Sequence, residues 1–133
     1  MNTQQITEIF KSKGLKLTPQ RIAVYKFLKE NPIHPDALTV YEKMVESNPS
    51  FSKTTVYNCL QTLCDCGLLI PVNIDKDKIR FDADTSFHGH FKCTKCGDIY
   101  DFQCTESNVC GIDGFETLQK DVYYSGICKR CKK

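Results

Sequence analysis

The chain has 133 residues, 41% hydrophobic and 26% charged, with a formal net charge of +2. That length suits one ordinary domain or two small ones, and the composition is that of a folded protein rather than a disordered or membrane-embedded one. No apolar run approaches the ~20 residues of a membrane span. The opening stretch MNTQQITEIFKSKG lacks the pattern of a secretory signal, so the expected compartment is the cytoplasm.

Residues 1–30 carry six basic side chains, Lys11, Lys13, Lys16, Arg21, Lys26 and Lys29, against Glu8 and Glu30. Such an excess serves a solvated helical face as well as a phosphate-contacting one. Ile6, Ile9 and Phe10 begin an amphipathic helix that Gly14 ends. Thr18 before Pro19 starts a second helix, with a hydroxyl cap and then proline at the first helical position, and Pro32 closes it. A third helix follows Pro35, with Leu38, Tyr41, Met44 and Val45 expected on one face, and stops at Asn48-Pro49.

Ser52 caps a fourth helix in which Val56, Cys59, Leu60 and Leu63 recur at the spacing of a buried stripe. Its other face presents Thr54, Asn58 and Gln61, flanked by Lys53, Thr55 and Tyr57, until Gly67. LLIPVNI and KIRFDA are two strand-like runs around the polar turn Asp75-Lys76-Asp77. Three helices, a polar-faced fourth and a hairpin are the order of a winged helix-turn-helix.

After about residue 83 cysteine, glycine and aromatic residues dominate, and HGHFKC, DIYDF and VYYSGIC read as strands. The expected fold class is therefore α+β. A winged-helix domain over 1–83, including the start of a hinge, precedes a small α/β domain over 84–133.

Nine cysteines are an odd number for a disulfide framework, and in a reducing compartment paired cysteines more often bind metal or do redox work. Cys93/Cys96 and Cys128/Cys131 form two CxxC knuckles. Two thiolates three residues apart can grip one tetrahedral ion, and two knuckles close a four-thiolate site. Four thiolates leave no open position, so this zinc is expected to be structural rather than catalytic.

His88 and His90 alternate along a strand and can address one ion, with Asp82, Asp84, Asp98 and Asp101 nearby in sequence. His34 stands apart, between the second and third helices. A mixed N/O site of this kind suits Fe(II), Mn(II) or Zn(II). From spacing alone a surface His-x-His that binds nothing specific, and a helix-terminus role for His34, stay open. A zinc hydrolase is disfavoured by the absence of an HExxH-type motif. Of the remaining cysteines, Cys59 lies on the apolar stripe and reads as packing. Cys64, Cys66, Cys104 and Cys110 admit both structural and redox readings.

LTPQR (17–21), His34-Pro35, TTVYNCL (54–60), RFD (80–82), HGHFKC with TKCG (88–97) and CKRC (128–131) occur in that order. Together they resemble the ferric uptake regulator family over essentially the whole chain. The resemblance implies a homodimeric, metal-dependent transcriptional repressor. Its winged helix binds a palindromic operator in double-stranded DNA, and its C-terminal α/β domain dimerises and holds metal. It assigns structural zinc to the four knuckle cysteines and regulatory Fe(II) or Mn(II) to His34, Asp82, His88, His90 and Asp101. Arg21, Lys53, Thr54, Thr55, Tyr57 and Asn58 become the expected DNA contacts, with Asn58 suited to an adenine edge and Arg21 to phosphate.

Two features resemble the peroxide-sensing branch of that family. Both sensor carboxylates are aspartates, and Asn58 stands where iron sensors usually carry arginine. That branch implies iron-catalysed oxidation of a ligating histidine, His34 or His88. A repressor that responds to iron without sensing peroxide is the alternative. A zinc-ribbon module without DNA binding fits LTPQR and TTVYNCL poorly. The chain departs from the family at FQCTESNVCGID (102–113), where a longer amphipathic helix is usual. A trimmed dimerisation domain is expected there, followed by an intact later strand from Gly114 to Ile127.

Overall fold

Four capped helices open the chain. The computed structural model describes residues 2–105 and 109–132, and it divides into two compact units, Met1–Thr85 and Ser86–Lys133. In the first, α1 spans Thr3–Ser12, α2 Pro19–Glu30, α3 Ala37–Ser47 and α4 Lys53–Asp65. Asn2, Thr18, Asp36 and Ser52 each accept a first-turn N–H, from Gln5, Arg21, Thr39 and Thr55 respectively. These caps satisfy donors that the helix itself leaves unpaired.

The core of this unit joins Ile6 and Phe10 of α1, Val24 and Leu28 of α2, Val40 and Met44 of α3, and the expected stripe of α4, Val56, Cys59, Leu60 and Leu63. Each fully buried aliphatic side chain there contributes roughly 1.5–3 kcal/mol relative to exposure. One expectation is corrected on α3. Leu38 is 44% exposed, whereas Val40 is fully buried. The cap at Asp36 fixes where the helix starts, and two residues amount to a turn of about 200° around its axis. Val40 therefore faces the core, and Leu38 faces away.

Strand β1 (Ile70–Val72) pairs antiparallel with β2 (Arg80–Asp82), matching Ile70 to Asp82 and Val72 to Arg80. This is the wing. Its second strand also bonds to the loop between α2 and α3. Phe81 N–H donates to the Pro35 carbonyl at 2.9 Å, and Asp36 forms an isolated bridge with Arg80.

The second unit is a three-stranded sheet of order β4-β3-β5, with β3 at Gly89–Cys93, β4 at Ile99–Phe102 and β5 at Tyr123–Gly126. β3 runs antiparallel to β4 and parallel to β5. The chain as a whole is α+β, as expected. In detail, the second unit differs from the expected α/β arrangement: it has no helix among the described residues. In the connection from β4 to β5, residues 103–122, Gly111 and Gly114 take φ of 90° and 80°, which interrupts a repeating backbone there. The strand expected from Gly114 to Ile127 is confined to Tyr123–Gly126. Residues 106–108 of the shortened segment lie outside the described residues.

Among the described residues the second unit buries no aliphatic or aromatic side chain. Its buried hydrophobic residues are Cys93 and Cys128, and its buried polar ones are His88 and His90. Thiol and imidazole groups therefore occupy the place of a core.

Candidate metal centres

The sheet itself assembles the thiolate centre. β3 ends at Cys93, and its parallel register sets Cys93 beside Gly126 of β5. The Thr94 N–H donates to the Gly126 carbonyl at 2.7 Å, which locks the two knuckles side by side. The backbone N–H groups of Cys96 and Cys128 both point at Cys93 Sγ, each at 3.4 Å. The four sulfurs of Cys93, Cys96, Cys128 and Cys131 lie within 4.8 Å of one another, with Cys96 and Cys128 at 3.9 Å. A tetrahedron of thiolates about 2.3 Å from zinc has edges of about 3.8 Å. The cluster fits a structural zinc ion.

The sulfurs are unequal in their hold on protons. The N–H donors of Cys96 and Cys128 hold the Cys93 thiol down to about 6, well below an ordinary cysteine. The Cys131 thiol is pushed up to about 12, first by its hydrogen bond with Cys128 and then by burial and the neighbouring sulfurs. Cys93 is thus the sulfur readiest to be a thiolate, and Cys131 the one that holds its proton most tightly. Zinc must displace that proton, because only thiolates bind it. We expect at least one proton released per zinc near pH 7, and an affinity that rises with pH through the neutral range. Calorimetric titration in buffers of different ionisation enthalpy checks this, and a buffer-independent heat would contradict it.

A second set of donors lies at the other end of β3. The register of β3 with β4 sets His90 directly opposite Asp101. Asp101 Oδ1 lies 3.6 Å from His88 Nε2 and 3.5 Å from His90 Nε2, and the two ring centroids are 4.5 Å apart. His88 Nδ1 stands 2.7 Å from the Ser86 carbonyl. A carbonyl only accepts, so Nδ1 carries a proton, and Nε2 is the ring atom that faces Asp101. Gly89 between them is required by close approach, since a Cβ there would stand 2.2 Å from the Phe102 ring.

A matching pair sits in the first unit. Buried His34 and Asp82 face each other with Nε2 3.4 Å from Oδ2, while Oδ1 of Asp82 accepts the Asp84 N–H. His34 is the one non-glycine residue with positive φ, 55°, among the described residues. Such a backbone costs on the order of 1–3 kcal/mol and persists only where its surroundings impose it. Both groups show N–O separations of 3.4–3.6 Å, longer than a good hydrogen bond. They are close to the ~3.4 Å edge of a tetrahedron of ligands ~2.1 Å from an ion. Imidazole nitrogens with carboxylate oxygens fit Fe(II) or Mn(II).

On α4, Lys53, Thr54, Tyr57 and Asn58 are exposed, as a base-reading face requires. Thr55 is half-buried, and its hydroxyl accepts from the Ser52 hydroxyl at 2.9 Å, so it also serves the helix cap. Arg21 is half-buried and donates from Nη1 to the Lys16 carbonyl. Sequence reasoning missed Arg80 and Asp75. Arg80 donates from Nε to Asp75 Oδ2 at 2.6 Å and from Nη1 to the His34 carbonyl at 3.1 Å. No motif marks a contact spanning 46 positions; a charged run ending in a strand was the only hint. Among the other cysteines, Cys59 lies in the core. Burial pushes the Cys64 thiol up to about 11, which disfavours a reactive thiolate there.

A winged-helix unit followed by a sheet that holds four thiolates and a separate set of histidines and aspartates is the build of a metal-responsive transcriptional regulator. The model of the ferric uptake regulator family matches residues 12–125, and the chain belongs to that family of regulators, which are not enzymes. It is 40% identical over 132 residues to the transcriptional regulator PerR of Clostridium acetobutylicum, covering 96% of each chain. The structure of the Helicobacter pylori ferric uptake regulator Fur matches with a TM-score of 0.75 at 20% identity, covering 98% of this chain and 91% of that one. The Campylobacter jejuni peroxide stress regulator matches with a TM-score of 0.67 at 27% identity, covering 98% and 100%. Among the described residues no helix is long and apolar enough to cross a membrane.

Proposed function

We propose that this chain is a cytoplasmic, homodimeric, DNA-binding repressor that senses hydrogen peroxide through oxidation of His34 or His88. The observation that carries the reading is the donor chemistry. His34 faces Asp82, and His88 and His90 face Asp101, a set of donors distinct from the four thiolates. Similarity to PerR and to a peroxide stress regulator supports the same reading.

In this reading His34, Asp82, His88, His90 and Asp101 are the ligands of Fe(II) or Mn(II), as the family resemblance implies. Metal binds the DNA-competent arrangement more tightly and so shifts the population toward it. Two winged helices of a dimer then meet the half-sites of a palindromic operator. Lys53, Thr54, Thr55, Tyr57 and Asn58 approach the major groove, with Asn58 suited to adenine, and Arg21 approaches phosphate.

Bound Fe(II) supplies the one-electron chemistry that splits the O–O bond of peroxide. The chain supplies the acceptor. One imidazole C–H of His34 or His88 becomes C–OH, and the other peroxide oxygen leaves as water. The altered ring is a poorer ligand, and the DNA-competent arrangement loses its support. With Mn(II) the protein binds DNA but keeps its histidines intact. Mass spectrometry of iron-loaded protein given peroxide is expected to find one added oxygen atom on a peptide holding His34 or His88. Peptides unchanged in the iron-loaded protein would sink the histidine mechanism.

A further inference from the structure

We propose that Arg80, anchored by Asp75, is the positioning residue for His34 and through it sets the affinity of the regulatory metal. The inference rests on the reading of His34 as a ligand.

The geometry has three parts. First, the guanidinium is tied at one end. Its Nε donates to Asp75 at 2.6 Å, and the Asp75 side chain is only 1% exposed. Second, its Nη1 donates to the His34 carbonyl. A guanidinium is a rigid planar fork, so fixing one donor fixes the direction of the other. Third, alternate residues of a strand share a side. Arg80 grips the backbone of His34 while Asp82, two residues on along β2, faces its ring at 3.4 Å.

The gripped backbone is the strained one, with φ of 55°. The Phe81–Pro35 bond and the Asp36–Arg80 bridge hold the residues that follow. Arg80 holds His34 itself. Stability alone does not account for the pair, because a buried Arg–Asp couple gains little over apolar side chains of similar size. Its placement on His34 does.

The test uses the full zinc-loaded chain and calorimetric titration with Mn(II). Arg80→Gln and Arg80→Lys are each made alone and in a His34→Ala background. Arg80→Gln is expected to weaken Mn(II) binding about 10–100-fold, the usual cost of losing a residue that orients a ligand, with zinc content unchanged. Arg80→Lys, which keeps the charge without the fork, is expected to fall between it and wild type. In the His34→Ala background Arg80→Gln is expected to have no further effect on Mn(II) affinity. An equal loss in both backgrounds would mean that Arg80 acts on the fold at large, and it overturns the inference. Unchanged affinity in Arg80→Gln alone overturns the inference and leaves His34 as a ligand. Unchanged affinity in His34→Ala overturns both. Should Arg80→Gln fail to load zinc, Arg80→Lys carries the same comparison.

Discussion

Replacing Cys128 by serine is expected to strip the bound zinc and melt the sheet of the second unit, while the helical unit keeps its own cooperative transition. The reason is the distribution of buried side chains. The first unit has a continuous apolar core from Ile6 to Ala83. The second has Cys93 and Cys128 as its buried hydrophobic residues among those described. A unit this small that buries so little apolar surface depends on a metal or a disulfide. Its six cysteines are all free thiols, so a bound metal is expected to hold it. Cys128 also follows the strand that pairs with β3, so losing its sulfur loosens the sheet and the site together. Zinc analysis should fall from one ion per chain to none, and circular dichroism should lose the strand signal while the helical signal persists. Retention of zinc and of a single wild-type melting transition would contradict this.

His90→Ala is expected to have the opposite profile, with zinc and fold retained and the response to regulatory metal lost. His90 is buried, lies opposite Asp101 in the strand register and packs edge-on to Tyr123 with ring centroids 6.2 Å apart. On the proposed reading its removal deletes a ligand, while the zinc at the far end of β3 is expected to keep the sheet folded. The loss of Mn(II) affinity should therefore exceed the 10–100-fold typical of an orienting residue, and Mn(II)-dependent DNA binding should go with it. Calorimetry and a gel-shift assay check the two halves. Mn(II) affinity within about threefold of wild type, well inside what even an orienting residue costs, would remove His90 from the site.

The parts of this molecule that were legible in the sequence are those written locally. Thr18-Pro19 and Ser52 announce helix starts because a cap acts within three residues, and the α4 stripe follows from its period. The zinc ligands were legible because CxxC spacing is itself the geometry of a bite on one ion. That the two knuckles share one ion was legible from their doubling; the route that brings them together was not, since it depends on parallel pairing of β3 with β5, which no short pattern encodes. Leu38 was placed on the wrong face of α3 because the period of that helix was read without its phase, which Asp36 sets. Arg80 and Asp75 were missed for a related reason. Their role comes from a bond to a carbonyl 46 positions away, and a backbone acceptor leaves no trace in side-chain identity. The segment after β4 announced its shortening through its length and glycines, but not how little strand would follow.

The central claim is that an iron site built on histidines and aspartates converts peroxide into release of DNA. The most direct measurement is DNA binding by Fe(II)-loaded and Mn(II)-loaded protein before and after peroxide, using a genomic fragment selected for binding to the Mn(II) form. Both forms are expected to bind beforehand. Peroxide should release the iron form alone, and fresh Fe(II) should not restore it, because the lesion lies in the histidine. An iron form that stays bound after peroxide, or equal release of both forms, would contradict the account.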